Sequence, residues 1–188
     1  MTMKNILAIG AAAAAMALAA GSAAMATDAG ADGTATASAT VLVPLSIDTI
    51  VNLGFGNVIA PTTGSVYAVI PATTGVIDHA GGLQSPASNH STQQAGSFKV
   101  HGTGSVDYSI TINTTGADIT MSGSDTKVKV GEFTLAKGTT SVSVNSGIAS
   151  TTLDSTGVEI VSIGGKLTVA AGAAGMYTAD IPIHVNYN

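Results

Sequence analysis

From Thr34 to the C-terminus the chain runs in short stretches in which apolar and polar residues alternate, with Val, Ile and Thr prominent and Gly, Asn and Asp between the stretches. A period of two marks strands that bury one face, because successive side chains of an extended backbone point to opposite sides. The pattern predicts strands over residues 34–43, 45–51, 53–59, 65–70, 97–101, 106–113, 118–122, 127–135, 141–145, 158–163, 166–170 and 176–187. Helical periodicity is nearly absent. Many short strands separated by turn residues predict an all-β chain, an immunoglobulin-like β-sandwich. Residues 71–96 break the pattern with Pro71, Gly75, Gly81, Gly82, Pro86, Asn89 and the pair Gln93-Gln94, and are predicted to be a long surface loop.

The alternation is longest at the C-terminus. Tyr177, Ala179, Ile181, Ile183, Val185 and Tyr187 fall on one face, and Thr178, Asp180, Pro182, His184, Asn186 and Asn188 on the other. One face is therefore expected to be buried along the whole run, although an ordinary closing strand of a self-contained domain would show the same pattern. A second amphipathic run lies near the N-terminus, where Ala35, Ala37, Ala39, Val41 and Val43 alternate with Thr34, Thr36, Ser38 and Thr40.

The first residues read differently. Lys4 precedes an uncharged, alanine-rich run from Asn5 to Thr27, which closes on Ala24-Met25-Ala26. A basic start, a short apolar stretch and small residues at the cleavage point make residues 1–26 a predicted signal peptide, cut after Ala26 or, failing that, after Ala24. Alanine is too weakly apolar for this run to be a good spanning helix, so no membrane insertion is expected once it is removed. Residues 27–43 then form an N-terminal extension and residues 44–188 one domain, enough chain for a single core.

Composition narrows the function. The chain has no Cys, no Trp and no Arg, and 6 Lys against 11 Asp plus Glu. Without Arg, and with an acidic balance, it lacks the charge footprint of a nucleic-acid binder. A hydrophobic fraction of 45% argues against disorder despite the low charge. Without disulfides, stability outside the cell must come from packing or from pairing with another chain. No nucleophile elbow, phosphate-binding loop or paired-histidine metal motif occurs, so neither an enzyme nor a cofactor is expected. Asp78, His79 and His90 match no metal-ligand spacing and are read as solvated loop polars, and Asp118 and Asp125 as turn residues. Both His101 and His184 are read as surface residues on strands. Asn89-His90-Ser91 and Asn113-Thr114-Thr115 match the short glycosylation triplet.

The end of the chain resembles the chaperone-usher pilins, which finish in an alternating apolar strand with a penultimate tyrosine and a glycine fourteen residues from the end; Tyr187 and Gly175 occupy those places. The stretch from Gly33 to Val41, then Pro44-Leu45-Ser46-Ile47, Asn52-Leu53-Gly54-Phe55-Gly56 and Gly175-Met176-Tyr177-Thr178, is similar to an exported, pilin-like bacterial family catalogued as domain of unknown function 4402. Two features depart from the pilins: their common disulfide is missing, and Pro182 interrupts one side of the last strand's ladder. The resemblance implies a structural fibre subunit that lacks its last sandwich strand and receives one from the next copy by donor-strand complementation. Its implied partners are copies of itself, a periplasmic chaperone and an outer-membrane usher. Ala35, Ala37, Ala39, Val41 and Val43 would form the donor face; Gly175, Tyr177, Ala179, Ile181, Ile183, Val185 and Tyr187 would form the C-terminal assembly motif. Two alternatives stand beside this: the extension folds back onto its own domain, or the chain is a self-complete secreted binding module for a carbohydrate or protein.

Overall fold

The computed structural model describes residues 32–86, 92–113 and 117–188. The predicted signal peptide, His90, the Asn89 triplet and most of the Asn113 triplet lie outside the described residues. The chain divides into two units, Met1–Ala39 and Thr40–Asn188. In the first, residues 32–39 carry no strand. The second is all-β, built of antiparallel sheets.

Twelve strands are formed among the described residues: β1 (Ser46–Val51), β2 (Gly54–Phe55), β3 (Ser65–Ile70), β4 (Gln93–Gln94), β5 (Gly96–His101), β6 (Asp107–Ile112), β7 (Ile119–Thr120), β8 (Val128–Lys137), β9 (Thr140–Val142), β10 (Ile148–Thr152), β11 (Val158–Ala170) and β12 (Ile183–Tyr187). A seven-stranded sheet runs β1-β5-β11-β8-β7, with β3 on β11 and β9 on β8. A three-stranded sheet runs β10-β6-β12, and β2 pairs with β4. The long β11 organises the large sheet. Its first half, Val158 to Ile163, pairs with β5, and its second half, Gly165 to Ala170, pairs with β3.

The core follows this division into halves. Phe98, Val100, Leu135, Val161 and Ile163 of the large sheet meet Tyr108, Ile110, Ile112 and Ala149 of the three-stranded sheet in one cluster. A second cluster gathers Ala68, Ile70, Val128, Val130, Leu167 and Val169 with Phe55 and Leu83. The second is covered by short segments and loops instead of a matching sheet. Its cover includes Leu83, so the segment predicted to be a surface loop is anchored in the core, with backbone bonds from Tyr67 to Gly81 and from Val69 to Asp78.

Several expected strands differ. Residues 158–163 and 166–170 are one strand across Gly164-Gly165, where a Cβ on Gly164 would sit 2.1 Å from the Ile70 carbonyl oxygen and 2.4 Å from Ala72 N. These glycines permit a close approach of backbones and do not end the strand. Opposite them β8 bulges: its pairing with β11 shifts between Gly164 and Lys166, and Glu132 takes a positive φ of 46°. The extra residue moves the inward positions from Val128 and Val130 to Phe133 and Leu135, so one strand serves both clusters. The strand expected over 53–59 shortens to Gly54–Phe55, and that over 176–187 to Ile183–Tyr187. No strand forms over 34–43, since an extended segment needs a partner ladder to become one. Conversely, β10 was not predicted.

Tyr108 stands out in the first cluster: it is wholly buried, and its hydroxyl has no hydrogen-bond partner among the described residues. Burial, and then the nearby Glu159 carboxylate, push its ionisation well above the ordinary 10.0. Tyr108→Phe removes an unsatisfied group while keeping the ring, and is expected to leave stability unchanged or raise it by about 1 kcal/mol. In the wild type, the unfolded chain releases this proton near pH 10 while the folded one holds it, so stability falls as pH rises above 10. Urea midpoints at pH 7 and pH 11 should show a smaller alkaline loss in the variant.

Candidate functional site

The site combines an open strand edge, at β12, with an apolar cleft beside the start of the same C-terminal segment. β12 pairs with β6 alone among the described residues, with Ile183 opposite Ile112, Val185 opposite Ile110 and Tyr187 opposite Tyr108. The Asn188 N–H donates to the Asp107 carbonyl at 3.2 Å, and the Asn113 N–H to the Pro182 carbonyl at 3.0 Å. Even-numbered residues thus aim their backbone groups at β6; by the antiparallel alternation, Ile183, Val185 and Tyr187 aim theirs at the open edge. Pro182 lacks its N–H on the side that faces β6, so it does not block the open edge.

Burial follows the alternation without a break. Tyr177, Ala179, Ile181, Ile183, Val185 and Tyr187 are half-buried, and every even-numbered residue from Thr178 to Asn188 is exposed. The inward side chains touch the core: Tyr177 and Ala179 pack on the second cluster, Ile181, Ile183, Val185 and Tyr187 on the first. None is fully covered. Along the N-terminal side, Leu45 and Ile47 pack on the first cluster and Leu53, Val58 and Ala60 on the second. Between the two segments, at the second cluster, opens a cleft of about 710 Å³, walled by Leu53 to Ala60 on one side and Ala173 to Tyr177 on the other, above Val128, Leu167 and Val169.

Two tyrosines pin the ends of the C-terminal segment. The Tyr177 hydroxyl donates to Asp125 Oδ1 at 2.8 Å and accepts the Ala174 N–H at 3.1 Å. A Ser122–Thr178 bridge and the Lys127 ammonium on the Gly172 carbonyl, at 3.0 Å, fasten the same corner. Asp125 is held below the usual carboxylate range, chiefly by the Lys127 backbone N–H, with the Tyr177 hydroxyl and the Lys127 ammonium adding to it. Gly175 turns the chain there with a φ of 101°, a conformation that a side chain would strain. At the other end the Tyr187 hydroxyl donates to the Val43 carbonyl at 2.6 Å.

Of the candidate donor residues, Val41 and Val43 are 90% and 58% exposed. Ala35, Ala37 and Ala39 lie in the other unit and carry no strand. Of the remaining candidate residues, His79 Nδ1 lies 2.6 Å from the Leu83 carbonyl oxygen, and Asp78 accepts the Ala80 N–H at 2.9 Å. His101 lies 3.1 Å from the Asp48 carboxylate, joining β5 to β1 on the outer face. His184 is exposed. The cleft was missed by sequence reasoning, since its walls lie more than a hundred residues apart in the chain.

The family described as "Domain of unknown function (DUF4402)" matches residues 45–187. No curated protein and no solved structure matches the chain.

Proposed function

We propose that this chain, which belongs to the DUF4402 family, is a structural subunit of a bacterial surface fibre, an incomplete immunoglobulin-like β-sandwich that is completed by a strand from a second copy. The observation that carries this reading is the open edge of β12, whose inward face is only half-buried; an apolar cleft walled by residues 173–177 of the same C-terminal segment supports it. A strand added there would satisfy the free backbone groups of Ile183, Val185 and Tyr187 and cover apolar side chains in one step. The N-terminal extension supplies such a strand, with Ala35, Ala37, Ala39, Val41 and Val43 on one face. Extended, the seventeen residues from Thr27 to Val43 reach about 56 Å at roughly 3.3 Å each. Export to the periplasm, a chaperone that shields the cleft before assembly, and an usher for passage to the surface complete the reading.

A self-complete carbohydrate-binding module fits less well. Sugar stacking needs open aromatic faces, and of the seven aromatic residues only Tyr67, at 41% exposed, is an exposed one. Its ring is also occupied by the Lys166 ammonium, 5.0 Å from the centroid. The fibre reading is tested on the purified processed protein, which should form a ladder of polymers that survives mild denaturant. A protein that stays monomeric at high concentration would rule it out.

A further inference from the structure

Val43 carries no strand and is mostly exposed, yet both of its backbone polar groups are engaged. Its N–H donates to Thr103 Oγ1 at 2.7 Å, and its carbonyl accepts from the Tyr187 hydroxyl. Tyr187 in turn accepts the Thr103 N–H at 2.7 Å, which closes a ring of three residues drawn from the N-terminal segment, the turn after β5 and β12. Gly102 leaves room for it: a Cβ there would lie 2.6 Å from the Tyr187 hydroxyl and 2.7 Å from Leu45 Cδ2. Before Val43 the picture changes. Residues 40–42 make no hydrogen bond among the described residues, and Val41 is the most exposed large apolar side chain of the second unit.

We propose that this ring is a latch, with Tyr187 and Thr103 as positioning residues that fix the root of the N-terminal segment at Val43, so that the segment free to move ends at Leu42. The ring of Tyr187 packs on the core while its hydroxyl holds the root. A consequence rests on the fibre reading: the strand that receives one neighbour's segment also grips the root of its own. The latch then sets the stiffness of the joint between successive subunits, because slack at the root would lengthen the link between them.

The test uses the purified protein and two variants that keep shape and remove a hydroxyl, Tyr187→Phe and Thr103→Val, followed by residue-resolved amide exchange. In the wild type the Val43 amide should be protected and those of Val41 and Leu42 should not. Thr103→Val should speed exchange at Val43 by about fivefold or more, the weight of one ordinary hydrogen bond. Tyr187→Phe should do the same at Thr103, with the ladder amides of β6 and β12 unchanged in both. Equal exchange at Val41 and Val43 in the wild type, or no change in either variant, overturns the latch. So does joint opening of β6 and β12, which would make the ring an inseparable part of strand packing. Polymers of Tyr187→Phe should bend more in electron micrographs; equally stiff polymers with a loosened root overturn the role at the joint. Absence of polymers from the wild type counts against the fibre reading and not against the latch, which amide exchange decides.

Discussion

Replacing Ile183 by Asp is expected to destabilise the fold severely and to prevent assembly. Ile183 lies opposite Ile112, which is 1% exposed, and packs on the first core cluster. The substitution removes apolar contact from that cluster and sets an unpaired carboxylate against it. A cost of about 3–5 kcal/mol is a large share of the 5–15 kcal/mol typical of a domain. The neighbouring positions serve as the control: His184 and Asn186 are exposed, so Lys at either should change stability by no more than about 0.5 kcal/mol. Urea unfolding of the three variants checks the contrast. Stable folded Ile183→Asp, or unfolding caused by Lys at His184, would reverse the facing of the strand.

That facing was legible in the sequence because burial follows side-chain alternation, and the residues from Tyr177 to Asn188 alternate without a break. The ladder was not legible with the same sharpness. Met176 to Pro182 keep the alternation but form only the isolated bridge at Thr178, because a strand also needs a partner backbone within reach. Between Val130 and Phe133 the inward positions change parity at a bulge that the expected strand over 127–135 did not include. β10 offered no clear signal, since its only fully buried side chain is the small Ala149. The Gly164-Gly165 pair was read as a break when it marks close backbone packing. The cleft and the Tyr187 ring depend on segments far apart in sequence, and no local pattern encodes which distant segment faces which.

A protein that lacks residues 27–42 but keeps Val43 should fold, accept a strand and be unable to give one. Its own groove is walled by Leu53 to Ala60 and by the C-terminal segment, none of which the deletion removes. Added to growing polymers it should stop them, since a head-to-tail contact continues only while each copy both receives and donates. A synthetic peptide spanning Thr34 to Val43 should bind the shortened protein without polymer formation. At a hundredfold excess over its dissociation constant the gain is about 2.7 kcal/mol. For a domain of this size that corresponds to roughly 5–10 °C in melting temperature. Because Ala35, Ala37 and Ala39 bury little surface, Val41 should carry most of the affinity, and a peptide with Ala in its place should lose most of the shift. If residues 34–42 instead belong to their own domain, the deletion exposes an edge that nothing else covers. The shortened protein would then aggregate, while the intact one would stay monomeric with this segment resistant to protease. That pair of results would replace the fibre subunit with a self-complete secreted domain.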